Sequence, residues 1–122
     1  MRPELNEIAK QLIENVRDRA IQMADVSLRP NSNGPVARRW RAAGVKHAEI
    51  VIPDVVDMTL FALLNAIDEE LLRLIFLPKE GGSFDLCKDG QGELAGWYMM
   101  NDGWRTTYSK ERFVDDIADV NE

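Results

Sequence analysis

Eight apolar residues in the middle of the chain limit its folding more than any other feature. Val56, Leu60, Leu63, Leu64, Ile67, Leu71, Leu74 and Ile75 lie at offsets of 4, 7, 8, 11, 15, 18 and 19 from the first. A period near 3.6 residues places them all on one side of a helix, and no strand period does. The spacing predicts one long helix, capped by Asp54 or Asp57 and running to about Phe76. Met58, Phe61, Leu72 and Phe76 form a second apolar flank. A helix with two such flanks is expected at the centre of the core, covered on more than one side. Glu69 and Arg73, four apart in the favourable order, add roughly 0.3 kcal/mol of local support. Pro78 ends the segment.

Glu4 to Val26 carries the same period in amphipathic form. Leu5, Ile8, Ala9, Leu12, Ile13, Val16, Ala20, Met23 and Ala24 make the stripe, with Glu7, Lys10, Glu14, Asp18 and Asp25 off it. The run Arg29-Pro30-Asn31-Ser32-Asn33-Gly34-Pro35 cannot continue a helix. Val36 to Ala43 suits a short helix closed by Gly44. Residues 45–52 alternate as an extended segment does, with Pro53 as its stop, and are read as a fourth strand.

Beyond Pro78 the texture changes. Ser83–Cys87, Glu93–Met100 and Trp104–Tyr108 are separated by Lys88-Asp89-Gly90-Gln91-Gly92 and Asn101-Asp102-Gly103. Asp-Gly pairs supply the positive φ of tight hairpins, so this region is expected to be a three-stranded antiparallel meander. Ser109, with Tyr108 and Phe113 at staple spacing, would then start a short last helix through Ala118. The resulting expectation is a single α+β domain over residues 1–122. In it, a long amphipathic N-terminal helix and a buried central helix pack on a small antiparallel sheet.

The charge balance narrows function rather than fold. Fifteen Lys and Arg against 21 Asp and Glu give 15 − 21 = −6. Residues 1–48 hold nine and five of these, a net of +4, and residues 49–122 hold six and sixteen, a net of −10. The start Met1-Arg2-Pro3-Glu4 lacks the apolar run of a secretory signal. Asp57, Asp68, Glu69, Glu70 and Arg73 interrupt the most hydrophobic stretch, which argues against a bilayer span. Cys87 is the single cysteine, so a reduced, cytoplasmic setting is expected.

Catalytic signatures fail on spacing. An EF-hand loop opening at Asp85 would need ligands where Cys87 and Gly96 stand. Gly90, Gly92 and Gly96 are one residue too widely spaced for a dinucleotide loop and open no predicted helix. One histidine, His47, and Cys87 show no nucleophile–base pattern and cannot furnish an ordinary zinc site. Asp68-Glu69-Glu70 and Asp115-Asp116 are sequence neighbours, and neighbours on a helix do not face one another across a cleft. No metal ligands, cofactor or catalytic residues are therefore assigned.

Two clusters suit binding. Trp97, Tyr98 and Trp104, next to the acidic turn at Asp102, would put large aromatics on both faces of the meander, which points to a docking surface if helices do not cover both. Arg38, Arg39, Trp40 and Arg41 could neutralise phosphates and stack on a base. Pairing of these arginines with the acidic half is the plainer alternative. The leading expectation is an acidic, non-enzymatic protein that binds, or neutralises, a basic protein partner. A carboxylate-based, metal-dependent enzyme and a nucleic-acid binder through Arg38–Arg41 are the alternatives.

Overall fold

The computed structural model of the chain describes residues 3–114. Pro3–Gln11 is helix α1, and Asp18–Ser27 is α2. Between them Leu12–Arg17 winds as a π-helix, so the three segments run on as one rod. The π segment has a physical consequence. A wider turn advances each residue by a smaller angle, which resets the face the helix presents. Val16, which the α-helical period puts on the stripe, is exposed, and Arg17 and Asp18 are buried in its place.

Pro35–Ala42 forms α3, as the sequence suggests, with Pro35 at the start, where its missing N–H costs nothing. The chain then departs from expectation. Residues 45–52 do not make a strand: α4 spans Ala48–Asp68, with Pro53 inside it. Proline removes the hydrogen bond to the carbonyl four residues back, here that of Glu49. The Arg112 guanidinium takes that bond over, donating from Nε at 3.1 Å and Nη2 at 2.9 Å to the Glu49 carbonyl.

α4 also stops eight residues before the expected Phe76. Glu70 turns left-handed at φ 63°. Its N–H donates to the Ile67 carbonyl at 3.0 Å, and that of Leu71 to the Ala66 carbonyl at 2.9 Å. This is a Schellman ending with glutamate where glycine is usual. Arg73 is thereby freed from Glu69 and pairs with Asp85 at 2.6 Å.

The expected three-stranded meander is absent. Among the described residues there is one sheet of two short antiparallel strands, β1 (Ile75–Phe76) and β2 (Phe84–Asp85). The rest of the region is helical: α5 (Leu86–Asp89), α6 (Leu94–Met99) and α7 (Trp104–Tyr108). Asp85 ends β2 by capping α5, accepting from the Cys87 and Lys88 amides at 3.1 and 3.2 Å. Asp68, at the end of α4, accepts from the Leu94 and Ala95 amides at 3.0 and 2.9 Å and so caps α6 from a distance. A Cβ on Gly103 would collide with the Trp97 carbonyl, so the α6–α7 turn closes only around glycine. The chain is thus mostly helical rather than two layers on a sheet. Of the expected last helix, residues 115–118 lie outside the described residues, and Phe113 and Val114 are not helical.

Two apolar clusters hold the helices together. The larger joins Leu5, Ile8 and Ile13 to Leu60, Leu64 and Ile67 of α4 and to Phe84, Leu94, Tyr98 and Trp104. The smaller joins Ile21 of α2 to Ala48 and Ile52 of α4. Arg17 and Asp18 on the rod, and Asp57 on α4, fall between the residues of these clusters, as a buried charged layer.

Candidate functional site

The charged layer is the most unusual chemistry in the interior. Arg17 is fully buried, and all five of its N–H donors are used. Nε donates to Asp57 Oδ1 at 2.7 Å and Nη2 to Asp57 Oδ2 at 3.3 Å. Nη1 reaches Asp18 Oδ1 and Ser109 Oγ, each at 2.9 Å, and Nη2 also reaches the Arg112 carbonyl at 2.8 Å. Asp57 further accepts from the Tyr98 hydroxyl at 2.6 Å and from Arg105 Nη1 at 2.9 Å. The Phe113 ring lies 4.6 Å from the Arg105 guanidinium carbon and 5.6 Å from that of Arg17. Two buried cations therefore meet two buried anions, and the layer is neutral.

Its electrostatics oppose acid–base work. Burial pushes the Asp57 carboxyl up, but hydrogen bonds from Arg17 and Tyr98 and the charges of Arg17 and Arg105 reverse this and hold it below the ordinary aspartate range. Burial and the bond to Asp57 push the Tyr98 hydroxyl well up. A general acid or base needs a pKa near the working pH and a lone pair free for substrate. Asp57 has neither. Asp18 is also engaged, by Arg17, by Ser109 and by the Lys110 amide at 2.8 Å. The layer straps residues 109–112 across the rod and α4.

The other reactive side chains are dispersed. His47 precedes α4, while Cys87 Sγ lies 3.3 Å from the Ile67 carbonyl near the far end of that helix. Twenty residues of helix, at 1.5 Å each, keep them roughly 30 Å apart. A cleft of about 590 Å³ is lined by Asp68, Glu70, Arg73, Asp85 and Cys87, but Asp68 caps α6 and Asp85 holds Arg73. Among the described residues no three His, Cys, Asp or Glu side chains come together as a metal site.

The aromatics singled out in the sequence divide. Tyr98 and Trp104 are buried in the larger cluster, Trp97 is half-buried, and Asp102 is exposed. Trp97 and Trp104 lie 6.4 Å apart by ring centroid, and with Asp102, Asn6 and Met100 they line a groove of about 160 Å³. Arg38, Arg39 and Arg41 are exposed on α3, and Trp40 is half-buried.

A larger exposed feature lies on α4. The second apolar flank of the central helix is expected to be covered, yet the outer side of α4 is open. Val51, Val55 and Met58 are 53, 56 and 65% exposed, and Phe61 and Ala62 continue the exposed side. Val51, Val55, Met58 and Ala62 follow one another at spacings of 4, 3 and 4, the seam of helix-on-helix packing. Residues 48–68 contain Glu49, Asp54, Asp57 and Asp68 and no lysine or arginine. Asp54 is exposed beside the seam, whereas Glu49 lies around the helix from it, in a pocket with Asp25, Arg29 and Arg112. A cavity of about 280 Å³ opens at Met58, between Asp54, Asp57, Met99, Arg105 and Val114. By length and composition alone α4 would also pass as a membrane-crossing helix. Neither a protein-family model, nor a curated protein, nor a solved structure matches the chain.

Proposed function

We propose that this chain is a binding protein without catalysis of its own, and that it docks a cationic amphipathic helix of another protein on the outer side of α4. The exposed seam of Val51, Val55 and Met58 carries this reading. A contiguous apolar strip of this kind on a small protein marks an interaction surface. A helix laid along it would bury its own apolar residues at i, i+3, i+4 and i+7. The fringe selects the partner's charge. Asp54 attracts lysine or arginine and repels carboxylates, and no cation of α4 opposes it.

The test is calorimetric titration with a synthetic Leu/Lys amphipathic helix and with its Leu/Glu counterpart. Binding of the basic peptide alone, lost in Val55→Glu/Met58→Glu with an unchanged melting temperature, is the expected result. Equal binding of both peptides would overturn the reading. So would a stable dimer of the unliganded chain in light scattering, which would give the seam to a second copy. Partition of the chain into neutral vesicles, lost in the same variant, would give it to a bilayer.

A further inference from the structure

Among the described residues the arginines of α3 have no acidic partner, although the chain carries more carboxylates than cations. Arg17, Arg73, Arg105 and Arg112 each hold an aspartate. Arg38, Arg39 and Lys46 make no ion pair among the described residues, and Arg41 makes only a 3.4 Å hydrogen bond to the Pro30 carbonyl. No Asp or Glu occurs between Asp25 and Glu49, so Arg29, Arg38, Arg39, Arg41 and Lys46 stand in an acid-free run of 23 residues. α3 buries only Ala37, while Arg38, Arg39 and Arg41 are exposed.

We propose that α3 and the turn after it form a second binding site, independent of the α4 seam, for the phosphodiester backbone of single-stranded nucleic acid. Three of the four exposed cations from Arg38 to Lys46 are arginines, whose planar fork grips phosphate oxygens in pairs, whereas lysine acts as a point charge. Trp40, half-buried within the same helix, offers ring surface for a base. An anionic bilayer suits the site less well. A helix lying in a membrane interface needs a broad apolar face turned outward, and Ala37 of α3 is turned into the protein.

Counterion release makes the proposal quantitative. Four cations on single-stranded phosphates give a slope of log affinity against log salt of about −3. The experiment is fluorescence anisotropy of the full chain with a labelled 20-nucleotide oligouridine between 50 and 200 mM salt. Phosphatidylserine vesicles and polyglutamate are run as parallel ligands. The expected result is binding that weakens about 50-fold over that range. In Arg38→Ala/Arg39→Ala the slope is expected to fall to about half, with the melting temperature unchanged because both side chains are exposed. Val55→Glu/Met58→Glu retains the oligonucleotide, which separates this site from the seam. No binding at 50 mM salt, a flat salt response, an unchanged slope in the arginine variant, or equal affinity for vesicles or polyglutamate would each overturn the proposal.

Discussion

The guanidinium of Arg112 replaces, for the carbonyl of Glu49, the backbone donor that Pro53 lacks. It also forks onto Asp25 at 2.8 and 2.9 Å, so one side chain repairs α4 and ties it to the end of α2. This repair explains how a proline-containing helix begins where a strand is expected. It predicts coupling. Arg112→Ala should cost about 1–2 kcal/mol of unfolding free energy, with its exposed ion pairs discounted for screening. In a Pro53→Ala background, where residue 53 can donate to Glu49 itself, the same change should cost about half as much. Urea denaturation of the four proteins of this cycle checks it, and additive costs would show that the two residues are not coupled.

Glu70 occupies a left-handed position that side chains avoid. Glu70→Gly should therefore raise stability by about 0.5–1 kcal/mol, since Glu70 is exposed and loses no packing. A rise in melting temperature is the readout. A fall would mean that the Schellman ending is not what terminates α4.

Removing Asp57 takes from Arg105 its carboxylate partner and leaves Arg17 with only that of Asp18. Asp57→Ala should cost about 3–5 kcal/mol, as a broken buried ion pair does. Tyr98→Phe removes one hydrogen bond to the same carboxylate and should cost about 1.5–3 kcal/mol. The order of the two in chemical denaturation is the test. Where Asp57→Ala leaves too little folded protein, the milder variant still reports on the layer.

The pH dependence follows from the same groups. The Arg112 hydrogen bond, opposed by some burial, lowers Asp25, and Asp57 is held low as described. Unfolding releases both to the ordinary value near 4, so their stabilisation is complete above about pH 5 and is lost as pH falls through their folded values. Tyr98 is raised, so its contribution is complete below its unfolded pKa near 10 and is lost above it. Stability should be flat from about pH 5 to 9 and fall on both sides. In Tyr98→Phe the alkaline fall should be smaller, and an unchanged alkaline limb would contradict the assignment.

How far the fold was legible depended on length and on local signals. The N-terminal rod spans many turns, so its stripe was plain, although the π segment moved the buried position from Val16 to Arg17. The central helix was recognised but displaced toward the C-terminus. Pro53 looked like a stop because its repair by Arg112 comes from 59 residues away, and Glu70 looked helical because the usual glycine was missing. α6 and α7 are under two turns long, too short for their period to separate from strand alternation among aromatics. Yet Leu94, Ala95 and Tyr98, and then Trp104, Arg105 and Tyr108, share the spacing i, i+1, i+4, which fits helix better than strand. The charged layer was not legible, because Arg17, Asp57 and Arg105 are distant in sequence. The α4 seam was visible as apolar residues, but apolarity alone does not say whether anything covers it.

The most direct measurement uses the methionines as reporters. Met58 on the seam and Met23 on α2 are almost equally exposed, at 65 and 66%, so nonspecific association would perturb both. Methyl NMR of the chain labelled at its methionines, titrated with the basic amphipathic peptide, distinguishes them. A shift or broadening of Met58, with Met23 unmoved, is the expected outcome. A response at Met23 equal to that at Met58, or none at Met58 at saturating peptide, would contradict docking on α4.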